Sequence, residues 1–259
     1  MSADARTIEV SQLEIMATRD GSQTLRDPAS GITYRSAYGA RTEARHVFVE
    51  GTRVLAETGP KQILEIGLGG GTNFLETLAQ RAALGIESAL TYHAIERAPI
   101  SPDLAKALHE DGDPARVKGL QVLAKVLARY HAHPQLHLEH HDEATGVTLV
   151  LHASEWTKVE LDQSFDAVYH DPFGPRVNAE AWSADCFGWI AGHMREHALL
   201  ATYSAAGAVR RNLASAGLIT AWREGAGGKR EMTVAAKSRD ALSGYQLCPA
   251  SKQPQGFHP

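Results

Sequence analysis

Two short stretches of this chain combine an acid with residues that bring the backbone close to a ligand. The first runs Glu65-Ile66-Gly67-Leu68-Gly69-Gly70-Gly71, so that an acid precedes closely spaced glycines. Glycine lets the backbone approach a bound molecule, and an acid there suits a cationic one. The second is Asp171-Pro172-Phe173, which offers a carboxylate and a backbone carbonyl to orient an amine and an aromatic ring to stack on a substrate. Both stretches predict ligand chemistry.

Each stretch follows a short apolar run that predicts a buried strand. Ile63, Leu64 and Ile66 precede the glycines, and the segment 165–170 precedes the Asp-Pro-Phe stretch. After the glycines, Thr72 or Asn73 is expected to cap a helix. A strand, a glycine turn and a helix form a nucleotide site, and doubly wound sheets bind ligands at the carboxyl ends of their strands.

The glycine spacing distinguishes two kinds of nucleotide site. A dehydrogenase fingerprint G-x-G-x-x-G that starts at Gly67 would need glycine at position 72, where Thr72 stands. The pattern E-x-G-x-G-x-G fits without a gap and resembles motif I of the S-adenosylmethionine (SAM) dependent methyltransferases. The alternative is a plain strand-to-helix turn. The resemblance implies SAM as the cofactor, bound by these residues: Glu65, Gly67, Gly69, Gly71 and Asn73.

Two further acids are candidate cofactor ligands. The predicted strand 90–96 ends in Glu96, the position at which an acid bonds the ribose hydroxyls in nucleotide-binding domains. The alternative for Glu96 is a solvated carboxylate at a strand end. Glu155 follows the predicted strand 147–152, in the region where SAM-binding folds place the adenine. Its alternative is an acid that stabilises a helix N-terminus.

The Asp-Pro-Phe stretch resembles the D/N-P-P-F/Y signature of amino-group methyltransferases. Asp171, Pro172 and Phe173 are therefore the candidate catalytic residues, with Asp171 orienting a substrate amine. A proline-rich turn without chemistry is the alternative.

Composition limits the class of protein. The 259 residues are 43% hydrophobic and carry a net charge of −4, so nucleic-acid binding requires a local basic patch. Two distant cysteines predict neither a metal site nor a disulfide framework, which favours a reducing compartment. No apolar run reaches the ~18 residues of a membrane helix. We therefore expect a cytoplasmic protein without a membrane segment.

The order of elements predicts an α/β protein with a doubly wound sheet, and the motif resemblance implies a Rossmann-like SAM-dependent methyltransferase fold. Residues 1–38 are expected to form an N-terminal β extension, a hairpin whose return strand is 32–34. The methyltransferase domain is predicted at 39–236, with helices over 41–58 and 178–195, and a loose tail at 237–259.

Six histidines lie close together in the sequence between positions 131 and 152. A metal site needs ligands that converge in a set geometry. The pattern of these residues is instead that of an amphipathic strand and a turn. We predict strand or surface histidines and no metal at this set: His131, His133, His137, His140, His141 and His152.

An ordered series of motifs over residues 20–236 resembles the methyltransferase half of the MnmC family. The family form ExGFGTGLNF matches 65–74, and its GxGxKREM matches 225–232. The other matching stretches are 20–22, 34–43, 46–48, 95–97, Asp171-Pro172-Phe173 with Asn178 and Trp182, and 202–213. Gly70 departs from the family's usual threonine, and Arg176-Val177 from a common lysine pair.

The resemblance implies methyl transfer from SAM to the primary amine of 5-aminomethyl-2-thiouridine at the tRNA wobble position. In the two-domain family form a flavin oxidase exposes that amine, so we expect a separate enzyme to supply it here. The candidate phosphate contacts, each of which is otherwise ordinary surface charge, are Arg35, Arg41, Arg45, Arg210, Arg211, Lys229 and Arg230.

Two rival functions remain open from the sequence. A methyltransferase that acts on a small-molecule or protein amine would ignore RNA and methylate a free amine. A non-catalytic RNA- or protein-binding module would bind SAM weakly.

Overall fold

The computed structural model describes residues 12–110, 113–226 and 231–248. Within these ranges the chain forms a nine-stranded mixed sheet flanked by helices, together with a separate two-stranded hairpin, so the predicted α/β class is confirmed. The strands are β1 Glu14–Ala17, β2 Gln23–Arg26, β3 Lys61–Ile66, β4 Leu90–Ile95, β5 His137–Asp142, β6 Val147–His152, β7 Phe165–His170, β8 Met194–Thr202, β9 Ile219–Glu224, β10 Glu231–Ala236 and β11 Gln246–Leu247. The helices are α1 Ala40–Glu43, α2 Glu50–Thr52, α3 Thr72–Ala83, α4 Pro102–Leu108, α5 Pro114–Ala132, α6 Ala184–His193 and α7 Gly207–Ser215.

The sheet is doubly wound. Its strand order is β11-β9-β10-β8-β7-β3-β4-β6-β5, and β8, β7, β3, β4 and β6 run parallel. The chain moves outward from β3 through β4 to β6, then returns to the other side of β3 for β7 and β8. The winding direction therefore changes between β3 and β7, which is where such sheets bind ligands.

Both faces of the central strands of the sheet are buried. Along β3, Ile63 packs into one apolar cluster with helices α3 and α5, whereas Leu64 packs into a second cluster with α6 and α7. Each fully buried side chain of this kind stabilises the fold by about 1.5–3 kcal/mol. Burial on both faces explains why the parallel strands read as continuous apolar runs.

The helix predicted over 41–58 is shorter and interrupted. Between α1 and α2 the chain makes a π-helix at Ala44–Val49, and the helix ends at Arg53, whose φ of 53° is left-handed. The helix predicted over 178–195 reduces to α6, whose N-cap Ser183 accepts a hydrogen bond from the backbone N–H of Cys186 at 3.1 Å. A short 3-10 turn, Glu180–Trp182, precedes α6, and β8 begins directly after α6.

The N-terminal hairpin is present, but its predicted return strand is wrong. β1 pairs with β2, in register from Glu14 with Arg26 to Ala17 with Gln23, whereas Thr33 makes only an isolated bridge to Arg26. Segment 1–11, which carries the first predicted strand residues, lies outside the described residues. Leu25 of β2 is fully buried in the main core, so the hairpin packs directly on the methyltransferase domain.

The segment predicted as a loose tail contributes to the sheet. A 3-10 turn at Asp240–Leu242 leads into β11, in which Gln246 pairs with Trp222 of β9. This part therefore adds an edge strand, and residues 249–259 lie outside the described part of the chain.

Candidate active site

The glycine turn lies at the switch point and shapes the wall of a cavity. Gly67 has a φ of +89°, and a Cβ added there would lie 2.8 Å from the carbonyl oxygen of Asp171. Gly71, also left-handed, is the N-cap of α3, and no side chain caps this helix. The prediction that Thr72 or Asn73 caps it is therefore wrong, because the amide of Asn73 binds two carboxyl groups instead.

Asp171 is held from two sides at the carboxyl end of β7. The guanidinium of Arg35 forms an ion pair with Asp171 Oδ2, and Asn73 Nδ2 donates to the same oxygen at 2.9 Å. The side chains of Arg35 and Asp171 are only 6% and 5% exposed. Burial by itself would lower the pKa of Arg35, but the carboxyl groups of Asp171, Glu43 and Glu65 raise it. Arg35 therefore stays charged and favours Asp171 as a carboxylate.

Glu65 lies directly behind this pair. It is fully buried, with Asn73 Nδ2 at 2.7 Å from one carboxyl oxygen and the Tyr92 hydroxyl at 2.8 Å from the other. Burial raises the pKa of Glu65 to about 8; the charge of Asp171 adds to that rise, while Arg35 opposes it. Glu65 is therefore protonated at neutral pH in the folded protein.

The backbone of the Asp-Pro-Phe stretch is fixed by neighbouring aromatic side chains. The Tyr203 hydroxyl donates to the Pro172 carbonyl at 2.9 Å, and Trp182 Nε1 donates to the Phe173 carbonyl at 2.7 Å. The Phe173 ring meets the edge of Tyr34, with ring centroids 4.8 Å apart. Asp171 lines the cavity beside these fixed carbonyls, and its carboxylate is the charged acceptor of this stretch.

Glu96 closes the opposite side of the glycine turn. Its carboxylate accepts the backbone N–H groups of Gly69 at 2.9 Å and Ala98 at 2.8 Å. Glu155 lies farther along the same wall, ahead of a 3-10 turn, and forms an ion pair with Lys158 at 3.7 Å. Its carboxylate makes no side-chain cap to that turn. Both acids line the cavity.

The cavity between these groups has a volume of about 630 Å³, within the ~300–1,000 Å³ typical of small-molecule sites. Five acidic side chains and two arginines line it. The acids are Glu43, Glu96, Glu155, Asp171 and Glu180, and the arginines are Arg35 and Arg97. This excess of acids suits a cationic ligand.

Comparison with known proteins relates the chain to one family of enzymes. Residues 118–238 match the family model of the S-adenosyl-L-methionine-dependent methyltransferases. The crystal structure of MnmC2 from Aquifex aeolicus superposes with a TM-score of 0.71 at 25% identity, covering 89% of this chain and 74% of that one. The chain has the fold of the SAM-dependent methyltransferases.

Curated relatives extend the similarity over most of the chain. The tRNA 5-methylaminomethyl-2-thiouridine biosynthesis bifunctional protein MnmC of Cupriavidus metallidurans is 37% identical over 229 residues, which is 86% of this chain and 33% of that protein. Its counterpart in Cupriavidus necator is 38% identical over 215 residues, which is 80% of this chain and 32% of that protein. The chain therefore spans about one third of the length of these relatives.

The residues of the cavity fit SAM, the cofactor of this family. SAM is a cation, and acids outnumber arginines among the charged residues that line the cavity. The glycine turn leaves little room for a side chain, since a Cβ at Gly69 would lie 3.1 Å from the Tyr34 ring. Glu96 and Glu155 remain the predicted contacts for ribose and adenine. By contrast, Glu65, Gly71 and Asn73 lie behind the wall rather than on its surface.

The structure corrects part of the predicted RNA contacts. Arg210 is 6% exposed and pairs with Glu231 at 3.3 Å, so it cannot reach a phosphate. Arg35 is equally buried and pairs with Asp171. Arg211 is exposed on α7 and stays a candidate. Lys229 and Arg230 lie outside the described residues.

The histidines do not converge on a metal. In the described part of the chain no group of three or more His, Cys, Asp or Glu side chains is arranged to hold one. His152 is a buried strand residue, not a surface one: it lies 3.1 Å from His93, and burial lowers the pKa of His152 to about 4 and that of His93 to about 3. No helix among the described residues is long and apolar enough to cross a membrane.

Three residues of the site have roles that the sequence does not predict: Arg35, Tyr34 and Tyr203. Arg35 reads as a surface cation because it stands in a polar loop between Tyr34 and Ser36. All three side chains line the cavity and contact the Asp-Pro-Phe stretch. The signals in the sequence are the aromatic and basic composition of the segment 34–38 and the family resemblance of 34–43 and 202–213.

Gly67→Ala is expected to destabilise the fold by more than about 1 kcal/mol, because it places a side chain at positive φ and against the Asp171 carbonyl. Gly188→Ala is the matched control. Gly188 lies within α6, and no atom lies within 4 Å of the position that a Cβ would take there. Alanine at position 188 should therefore stabilise the protein by ~0.5–1 kcal/mol. Urea unfolding of both variants tests this, and equal stabilities would contradict it.

Glu65 should make stability fall as pH rises. Its folded-state pKa of about 8 exceeds the ordinary value of 4.5, so the folded state binds the proton more tightly. The stability it contributes is complete below about 4.5 and is lost as pH rises towards 8. Glu65→Gln removes this dependence.

The measurement is the free energy of unfolding of both proteins between about pH 5 and pH 8. Buried histidines with lowered pKa values, such as His170 at about 4, act in the opposite direction but are common to both proteins. The difference between wild type and variant therefore isolates Glu65. A constant difference across this pH range would contradict the assignment.

Proposed function

We propose that this chain transfers a methyl group from SAM to the primary amine of an aminomethyl group on the wobble uridine of tRNA. Support comes from relatives whose names place them in 5-methylaminomethyl-2-thiouridine biosynthesis. The observation that carries the proposal is the position of Asp171. Its carboxylate is fixed by Arg35 and Asn73 at the wall of an acidic cavity, beside the glycine turn of the cofactor site.

Asp171 would orient the amine. When bound, SAM supplies an electrophilic methyl group on a positively charged sulfur. The amine must be neutral for its lone pair to attack; the new N–C bond forms as the S–C bond breaks, and the product is a secondary ammonium ion. Positive charge develops on the nitrogen in this step, and the carboxylate of Asp171 would stabilise it. Most of the rate would come from positioning the amine against the methyl group.

The ion pair with Arg35 favours an orienting role for Asp171 over a role as base. A carboxylate that contacts a buried guanidinium accepts hydrogen bonds but holds a proton weakly. The ammonium form of the substrate would therefore lose its proton to solvent before it takes up its reactive position.

Aromatic side chains would hold the substrate base. Tyr34 and Phe173 meet edge to face at the cavity wall, and Tyr203 lies beside them. Uracil-type bases taken out of a stacked RNA strand bind on such rings. The phenol of Tyr203 keeps its proton, because burial and the charge of Asp171 raise its pKa.

The substrate and partner follow from this assignment. The chain would act in the cytoplasm, where tRNA is modified, on a tRNA that already carries the aminomethyl group. The named relatives are bifunctional, and the aminomethyl group would come from an enzyme activity other than this methyl transfer.

The test measures transfer of radiolabelled methyl groups from SAM to three acceptors. These are tRNA whose wobble aminomethyl group is unmethylated, tRNA from cells that never make that group, and a free primary amine. We expect label in the first tRNA only. Label in the free amine as well would favour a small-molecule or protein amine as the substrate, and no label with any acceptor would leave a binding module.

A further inference from the structure

Glu65 matches the acid of the cofactor motif, yet its carboxyl group does not reach the cavity. The side chain is fully buried and is not among the residues that line the cavity. Asn73 Nδ2 binds one of its oxygens at 2.7 Å, and the Tyr92 hydroxyl binds the other at 2.8 Å. Its surroundings are therefore protein groups on both sides.

Two donors connect Glu65 with Asp171. Asn73 Nδ2 lies 2.7 Å from Glu65 Oε1 and 2.9 Å from Asp171 Oδ2. Arg35 Nη2 contacts Asp171 Oδ2 and lies 3.9 Å from Glu65 Oε1. The carboxyl group of Glu65 is thus hydrogen-bonded to Asn73 and lies close to Arg35, the two groups that hold the Asp171 carboxylate, and through Asn73 it links them to β3.

The charges around Glu65 favour its neutral form. Arg35 carries one positive charge, and two buried carboxyl groups besides Glu65, those of Asp171 and Glu43, already act on it. A further carboxylate at position 65 would repel Asp171, which is unfavourable inside a protein. Burial first and the charge of Asp171 second raise the pKa of Glu65, in agreement with this arrangement. A neutral group is also a poor ligand for the ammonium or sulfonium of a cofactor.

We propose that Glu65 is a positioning residue that holds Asn73 and Arg35 against Asp171, and not a ligand of SAM. The inference rests on the proposed function, because it assigns the purpose of the cluster to the placement of Asp171. Three elements meet there: β3 carries Glu65, the first turn of α3 carries Asn73, and the segment between β2 and α1 carries Arg35.

The experiment makes the same Glu→Gln change at two acids. Glu65→Gln retains a neutral side chain of the same shape, and Glu96→Gln is the matched control at an acid that lines the cavity. Calorimetry gives the affinity for S-adenosylhomocysteine. We expect Glu65→Gln to bind it within about threefold of the wild type, and Glu96→Gln to lose about tenfold or more, the cost of one charged hydrogen bond.

Kinetics with SAM and tRNA test the positioning role. Glu65→Ala frees Asn73 and Arg35 and should lower kcat by ~100-fold, with little change in the KM for SAM. Glu65→Gln should have a kcat at least about tenfold higher than that of Glu65→Ala, because the glutamine oxygen still accepts the hydrogen bond from Asn73. If Glu65→Ala does not fold, as judged by circular dichroism, Asn73→Ala replaces it with the same expectation.

Two results would overturn the inference. A loss of S-adenosylhomocysteine affinity in Glu65→Gln as large as that in Glu96→Gln would make Glu65 a cofactor ligand. An unchanged kcat in Glu65→Ala or Asn73→Ala would remove the positioning role. Failure of the proposed function is distinct: the wild type would then bind S-adenosylhomocysteine without methylating tRNA, and the two affinity measurements would still decide whether Glu65 binds the cofactor.

Discussion

Asp171→Asn is expected to lower kcat for methyl transfer by about 100- to 1,000-fold and to leave the affinity for S-adenosylhomocysteine nearly unchanged. The asparagine amide cannot stabilise the positive charge that develops on the amine nitrogen. The variant should fold, because Glu65 can take over as the counter-ion of Arg35. Burial is the main cause of the high pKa of Glu65 and the charge of Asp171 adds to it, so removal of that charge favours ionisation of Glu65 beside Arg35.

Asp166→Asn is the control for this variant. Asp166 lies on the same strand β7 but pairs with Arg195 at 2.6 Å, away from the cavity. Its replacement should leave kcat unchanged. Stopped-flow or steady-state kinetics give kcat, and calorimetry gives the affinity for S-adenosylhomocysteine. An equal loss of kcat and of S-adenosylhomocysteine affinity in Asp171→Asn would make Asp171 a structural residue.

Arg35→Met is expected to destabilise the fold by about 3–5 kcal/mol, the usual effect of removing one partner of a buried ion pair. The methionine leaves the carboxylate of Asp171 without its guanidinium partner at 5% exposure. Lys106→Met provides the comparison, since Lys106 and its partner Asp103 are 59% and 89% exposed. Exposed pairs contribute about 0–1 kcal/mol, so this control should unfold at nearly the wild-type urea concentration.

The double variant Arg35→Met with Asp171→Asn isolates the charge. It removes both members of the pair, so its stability should exceed that of Arg35→Met alone. Urea unfolding of the two single variants and the double variant completes the cycle. A double variant that loses the full sum of both single effects would show that the two side chains do not interact.

The strands of the sheet could be predicted because both faces are buried. Runs such as 63–66, 147–152 and 165–170 are apolar almost throughout, and each forms a strand at that place. Segments with a mixed pattern are less predictable. The sequence favours a return strand of the hairpin at 32–34, but Gln23–Arg26 forms it because Leu25 enters the main core.

The outer surface of the site is easier to predict than its interior. Glu96 and Asp171 line the cavity, as their positions at strand ends indicate. The burial of Glu65 depends on Arg35 and Tyr92, which approach from positions 30 residues before it and 27 after it. No local pattern in the sequence encodes such a contact. The prediction for Arg210 is wrong for the same reason, since Arg210 lies on α7 and its partner Glu231 lies on β10.

The most direct test of the proposed activity uses tRNA from cells that lack the last methylation of the wobble uridine. The tRNA is incubated with the protein and SAM, digested to nucleosides and analysed by mass spectrometry. We expect 5-aminomethyl-2-thiouridine to gain the mass of one methyl group, and Asp171→Asn to abolish most of this gain. An unchanged nucleoside, from a protein that binds S-adenosylhomocysteine, would contradict the proposed substrate.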